Sequence, residues 1–477
     1  MNHQASEELN KKQQQIQDKI LRPITHHKGL RIWGVILFII LAVAAYAYFI
    51  QLTRGLEVTA MRDYISWGIY ISNFVFFVAV SLVGMLISAV MGLLKIKWIT
   101  AVSRIAEIIA IGFIMVAGII IITDMGRPDR FPYLFLYGRI QSPIFWDVTV
   151  ITTYIIISLL LYLLPLIPDA ALCYKKLQNV PKWQRAIYKA LSFRWIGNPK
   201  QYKLLFKNLR ILLILIIPVA LAIHTVTSWL FASSLRVGWN STNFGPYFVS
   251  GAFVAGVAAV IIAMFFFRNN YKLKEIISKT HFNHMGKLLV LVALVYLYFN
   301  INEYLVPAYK METLDKAHLL GLFSGKFAWF FWPTQILGLI LPIILLLFKR
   351  MRKPIPITII SIFVLVGAWL KRYLILIPTM FHPHRPIQNV PENFHHYFPT
   401  VYEILITLGA FGITFLIITL LSKIFPIIPI WEITKEYENA DPKEEIYIKK
   451  GQKFQLIINA LKKAKDLKNP SDNDNPS

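Results

Sequence analysis

The stretch DMGRPDRFPYLFLYGRIQSPIFWDVTVITTYIIISLLLYLLPL, residues 124–166, decides the fold. From Ile144 to Leu166 it is apolar over the roughly 20 residues that cross a bilayer, with one carboxylate, Asp147, near its start. Ahead of that run, Gly126 and Pro128 force a turn among Asp124, Arg127, Asp129 and Arg130. A charge at the depth of Asp147 is costly in lipid, which makes it a functional-site hypothesis by default.

Outward from this stretch the same apolar pattern recurs. Ten runs have spanning length: Ile32–Leu52, Ile65–Leu94, Ile105–Thr123, Ile144–Leu166, Ile211–Leu235, Tyr247–Phe267, Leu288–Ala308, Ala328–Phe348, Ile357–Ile377 and Val401–Ile424. Of the 477 residues, 56% are hydrophobic and 16% charged, more apolar sequence than a soluble domain of this size uses. The reading is an all-α polytopic membrane protein with ten transmembrane helices.

The formal charge of +25 would suit nucleic acid, but its placement argues for a membrane instead. Basic residues gather in alternate connections. Lys11, Lys12, Lys19, Arg22, Lys28 and Arg31 precede the first span, and Lys349, Arg350, Arg352 and Lys353 follow the eighth. By the positive-inside rule both termini are cytoplasmic, and ten crossings return the chain to the side on which it began. The expected organisation is a cytoplasmic arm over 1–31, the membrane domain over 32–430 and a mixed-charge cytoplasmic tail over 431–477. Within the membrane domain, the loop 167–209 interleaves aromatic and basic residues (Trp183, Arg185, Tyr188, Lys189) and suits the anionic inner leaflet.

The single cysteine, Cys173, excludes an internal disulfide and an iron–sulfur cluster held by this chain alone. His224 is the only histidine well inside an apolar run, so a transmembrane bis-histidine haem lacks its ligands. The histidines of the last outer loop, His382, His384, His395 and His396, match no compact ligand spacing and read as a solvated loop, so no metal site is expected. The polar N-terminus shows no cleavable signal pattern.

Placing each polar residue by the direction of its run gives a lopsided pattern. Asn73, Asp147, His224, Asn300, Glu303, Lys371, Arg372 and Glu403 fall in the outer half; the inner half has little besides Glu107, three residues from Arg104, a spacing at which the pair is expected to neutralise itself. Buried titratable groups must pair or line a wet cavity. Acids, a histidine and two cations together suit a polar head group that exchanges protons, and a quinone head fits. Asp147, His224, Glu303 and Arg372 are the candidates for the chemistry. Asn73, Asp124, Arg127, Trp146, Tyr154 and Glu403 are candidates for holding the head, with Glu107, Thr152 and Lys371 on a proton path. Each has a blander reading: a lone buried histidine more often hydrogen-bonds a neighbouring helix, and the Arg127 loop suits self-satisfied ion pairs. The small residues Ser81, Gly84, Ser88, Ala89 and Gly92 read as packing.

Several motifs carry a resemblance. WGIYISNFVF (67–76), GRPDR (126–130), QSPIFWD (141–147) and GPYF (245–248) resemble the NrfD/polysulfide-reductase-C family, above all the long ten-helix quinol-binding subunits of alternative complex III, in order from about residue 25 to 432. The resemblance implies two four-helix bundles, helices 2–5 and 6–9, flanked by helices 1 and 10. It also implies a cofactor-free subunit that binds quinone, menaquinone in particular, near the periplasmic face of the bacterial cytoplasmic membrane. The implied partners are a periplasmic iron–sulfur subunit, multihaem cytochromes c and a second NrfD-like membrane subunit. By the same likeness Asp147 and Arg372 match polar positions near the quinol site or proton path. Two departures stand out: Leu82 replaces a histidine after Ser81, and Leu230 replaces an acid. Both weaken the case for proton pumping and touch quinone binding less.

Two other functions compete. A secondary transporter would bind its substrate near the midplane between broken helices, against the outward skew of the polar residues, although Pro218 in the fifth span suits it. A passive membrane anchor for periplasmic redox subunits would carry no quinone site.

Overall fold

Lipid offers no partner to a backbone N–H or C=O, so apolar runs of this length fold as helices that satisfy their own backbone. The computed structural model describes residues 2–25, 29–94, 96–234, 236–384 and 388–433. The tail expected beyond 433 lies outside the described residues, as does Arg385 of the histidine loop. The helices in chain order are α1 (Asn2–Thr25), α2 (Leu30–Arg54), α3 (Ile69–Leu93), α4 (Thr100–Asp124), the short α5 (Tyr133–Tyr137), α6 (Pro143–Lys176) and α7 (Lys182–Leu191). They continue with α8 (Pro199–Ala232), α9 (Phe244–Asn270), α10 (Lys279–Lys310), α11 (Thr313–Phe323), α12 (Ala328–Gln335), α13 (Leu341–Leu347), α14 (Pro354–Met380) and α15 (Val401–Ile424). A π-helical turn, Ile336–Ile340, joins α12 to α13.

Among the described residues ten segments are long and apolar enough to cross a membrane: α2, α3, α4, α6, α8, α9, α10, α12 with α13, α14 and α15. The all-α, ten-span expectation holds. Two units are distinguished: residues 19–429, which hold these segments, and a second made of residues 1–18 and 430–477, helical over 2–18 and 430–433.

The spans end where hydrogen bonding ends, not where apolarity does. α6 runs through Pro165 and Pro168 to Lys176, and α8 starts at Pro199, well before Ile211. Proline suits the first helical position of α6, α8 and α14, since its missing N–H has no partner there. Asn198 caps α8 by accepting from the Gln201 N–H at 2.8 Å. Much of 167–209 is therefore helical, with α7 between the two long helices.

α3 is central. It packs on α4, α8, α9 and α14. The approach is close where side chains vanish: a Cβ on Gly84 would collide with the Ala106 carbonyl oxygen, and one on Gly256 of α9 would collide with Val83 Cβ. α2 lies on α15 and turns Phe38, Tyr46 and Phe49 outward, as lipid-facing residues do. Because α3 joins α4 and α8 to α9 and α14 alike, the split into two four-helix bundles stays an expectation of the resemblance.

Candidate functional site

The outer polar residues collect into three groups, each built on helices that turn small or polar side chains inward. The first joins α6 and α8. Asp147 is buried, and its Oδ1 lies 2.5 Å from Thr227 Oγ1, which is itself 2.7 Å from the Ile223 carbonyl oxygen. One hydroxyl hydrogen cannot serve both oxygens; both contacts are hydrogen-bonded when the carboxyl group supplies the second proton. One turn deeper on the same face of α8, His224 is fully buried, and neither ring nitrogen has a partner. Buried polar atoms without partners are uncommon, and here both ends of one side chain are free. Two turns along α6 from Asp147, the Tyr154 hydroxyl donates to the Ser81 carbonyl at 2.9 Å.

Phe248 of α9 touches both this group and the second. Its ring centroid lies 5.7 Å from that of His224 and 4.6 Å from the Arg372 guanidinium. Arg372 Nη2 donates to the Phe248 carbonyl at 3.3 Å, and Nη1 has no partner. Beside it on α14, Lys371 Nζ donates to the Tyr304 hydroxyl at 2.5 Å and faces the rings of Tyr247, Tyr304 and Phe331. Glu303 of α10 accepts from Ser241 at 2.8 and 3.0 Å and from Asn243 at 3.0 Å. Lys371 and Arg372 line a cavity of about 20 Å³ that neither Asp147 nor His224 touches.

The third group holds α3, α14 and α15 together. Asn73 donates to Thr407 Oγ1 at 2.8 Å and accepts from Trp369 Nε1 at 2.7 Å. Trp369 and Thr407 floor an apolar groove of about 270 Å³. Glu403 caps α15: it accepts from the Thr400 and Ala60 N–H groups at 2.9 Å each and from the Tyr397 hydroxyl at 2.7 Å. Both its oxygens are committed to structure.

The remaining candidates sit apart. Arg127 and Asp129 pair on the surface at 3.0 Å, and the guanidinium holds the Asp129 carboxyl below its ordinary range. Trp146 is partly exposed and donates to the Ile140 carbonyl. Thr152 points outward and bonds Val148 of its own helix. Asp124, at the end of α4, keeps one buried oxygen without a partner.

At the inner side the expectation from spacing needs correction. Arg104 does not neutralise Glu107: it pairs with Asp169 of α6 and donates to the Pro165 carbonyl, while Glu107 accepts from Ser88 at 2.5 Å. Asp169 lies in the stretch expected to be a loop, and only the continuation of α6 buries it. Ser81 and Ser88, expected to serve packing, hold Tyr154 and Glu107. Sequence reasoning misses Gln335 and Thr227. Their signal is an amide and a hydroxyl inside apolar runs, weaker than a charge but as demanding of a partner.

Comparison with known proteins places this arrangement. A sequence model described as "Polysulphide reductase, NrfD" matches residues 57–383, more than half of the chain. The chain belongs to the polysulphide reductase NrfD family. The matched region runs from α3 to α14 and takes in Asn73, Asp147, His224, Glu303, Lys371 and Arg372; Glu403 lies beyond it. A selenate reductase subunit of Mesobacillus selenatarsenatis is 24% identical over 433 residues, 88% of this chain and 99% of that protein. A putative dimethyl sulfoxide reductase membrane subunit of Halobacterium salinarum is 29% identical over half of this chain and 53% of its own length. An Hdr-like menaquinol oxidoreductase integral membrane subunit of Archaeoglobus fulgidus is 23% identical over 83% of this chain and 93% of its own. The NrfD relatives are thus named as subunits of reductases and of a menaquinol oxidoreductase.

Proposed function

We propose that this protein is the quinone-reactive membrane subunit of a respiratory oxidoreductase, with the quinone head at Asp147 and His224. One observation carries the reading: a fully buried histidine with both nitrogens unpartnered lies one turn along α8 from Thr227, whose single hydroxyl hydrogen is shared with the Asp147 carboxyl group. A quinol offers a hydroxyl to an acceptor and a quinone a carbonyl to a donor, and neutral histidine supplies one of each. Asp147 and His224 are the two groups placed to exchange its two protons. Burial excludes bulk water from them, and Arg372, beyond Phe248, sets a positive field on the same site. The menaquinol oxidoreductase relative supports the substrate class and menaquinone within it.

With one cysteine and one histidine deep in a span, the chain suits no electron carrier of its own, so electrons pass to partner subunits at the outer face. An iron–sulfur subunit, multihaem cytochromes c and a second NrfD-like subunit, as in alternative complex III, fit that role. The basic connections support a bacterial cytoplasmic membrane with both termini inside. The test is quinol-dependent turnover of the assembled complex. Asp147→Asn and His224→Leu each lower it by at least about 100-fold, the scale of a lost general acid or base. Normal rates in both overturn the reading. Secondary transport has one feature in its favour, the π-turn that interrupts the eighth span; substrate uptake by vesicles holding this chain alone would decide for it.

A further inference from the structure

Beside Arg372, α9, α10, α12, the π-turn and α14 border a space of about 20 Å³, room for one water molecule. Local geometry makes it. The π-turn Ile336–Ile340 shifts the helix register at Gln335, and π-turns concentrate at functional sites. Gly338 and Gly367 touch backbone to backbone, so that a Cβ on Gly367 would lie 2.5 Å from Gly338 Cα. A Cβ on Gly251 would fall 2.9 Å from Tyr296 Cε2 and 3.2 Å from Arg372 Nη2.

Gln335 and Arg372 line this space, and three buried polar atoms on these two residues and on Asn300, which bonds Gln335, have no partner. Asn300 Nδ2 donates to Gln335 Oε1 at 2.8 Å, which leaves Gln335 Nε2 as a spare donor and Asn300 Oδ1 as a spare acceptor; Arg372 Nη1 is a second spare donor. Exchanging O and N in both amides leaves the same count. Two donors and one acceptor are the complement of a water molecule. Among the described residues no carboxylate lies within 4 Å of Arg372, so the spare guanidinium N–H is otherwise a buried donor left unmade.

The space is not isolated. Asn300 lies one turn from Glu303 on α10. The two partners of Glu303, Ser241 and Asn243, both line a polar cavity of about 660 Å³ at the outer face. Lys371, which lines the inner space, is anchored to Tyr304, next to Glu303.

We propose that the inner space holds a resident water, and that this water and Glu303 form a proton route from the Arg372 side of the quinone site to the outer cavity, separate from Asp147. It rests on the reading above for the source of the protons. An excess proton joins the water, the Glu303 carboxylate takes it up as the neutral acid, and Glu303 returns it to bulk water at Ser241. Only O–H bonds form and break, and no electron moves.

Radiolytic labelling in ¹⁸O-water, on the complex in lipid nanodiscs, tests the water without any turnover. Tyr296, buried but bordering the space, is expected to label at least tenfold faster than Tyr154, buried with its hydroxyl already bonded. Gln335→Met, close in length without the spare donor, is expected to bring Tyr296 down to the Tyr154 rate. Equal rates in the unmodified protein overturn the proposal, and that comparison needs no variant to fold. In the second arm, Glu303→Gln is expected to keep its bound quinone, lose about tenfold in turnover and show a larger solvent deuterium isotope effect. Unchanged turnover and isotope effect overturn the route. Absence of quinone from the unmodified complex would remove the functional reading alone, and the labelling would still decide the water.

Discussion

Asp147 and Glu403 look alike in the sequence and differ in the structure. Each is a carboxylate buried within the first turn or so of the outer end of a long apolar helix. Glu403 meets three donors from two parts of the chain and closes a capping box. Asp147 meets one hydroxyl, whose only hydrogen is also wanted by the Ile223 carbonyl, and one turn along α8 from that hydroxyl is a histidine with no hydrogen-bond partner. Depth in the membrane therefore does not separate structure from chemistry; completeness of hydrogen bonding does.

That contrast can be broken by substitution. The largest expected effect is on activity: Asp147→Asn or His224→Leu costs at least about 100-fold in quinol turnover, while complex assembly and melting temperature stay near those of the parent. Next comes a pure stability effect at the inner side. Arg104→Leu strands the buried Asp169 carboxylate and costs about 3–5 kcal/mol, and the double change Arg104→Leu with Asp169→Leu recovers most of it; denaturation of the two variants side by side checks this. Glu403→Gln weakens the cap of α15 by about 1–2 kcal/mol, seen as a melting temperature lower by a few degrees with turnover per folded complex retained. A large activity loss with unchanged stability in Glu403→Gln would erase the distinction.

The effect confined to acid pH lies outside the membrane spans. His318 on α11 is buried against His382, and burial pushes its pKa down to about 4 from an ordinary 6.5. Between those values the unfolded chain binds a proton that the folded one does not, so stability is full above about pH 6.5 and falls as the pH drops toward 4. His318→Leu is expected to flatten that part of the melting-temperature profile.

Much of the fold was legible because the membrane imposes one rule on every span. Residue types and run lengths gave the ten helices. The helix ends were less legible: α6 passes two prolines, since neighbouring groups in the bundle can satisfy what proline frees. At the site, direction along each helix placed Asp147, His224, Glu303, Lys371 and Arg372 at a common depth. It could not show that Phe248 touches both His224 and Arg372, nor that Glu403 is fully bonded. Those depend on rotation about each helix axis and on which neighbour it faces. Arg104 illustrates the limit: spacing favoured Glu107 as its partner, while packing brought Asp169.

Photoaffinity labelling of the assembled complex with an azidoquinone tests the central claim most directly. The account expects the label in the α6 and α8 peptides that carry Asp147 and His224, displaced by menaquinone and lost in His224→Leu. Labelling confined to other helices, or unaffected by His224→Leu, would contradict it.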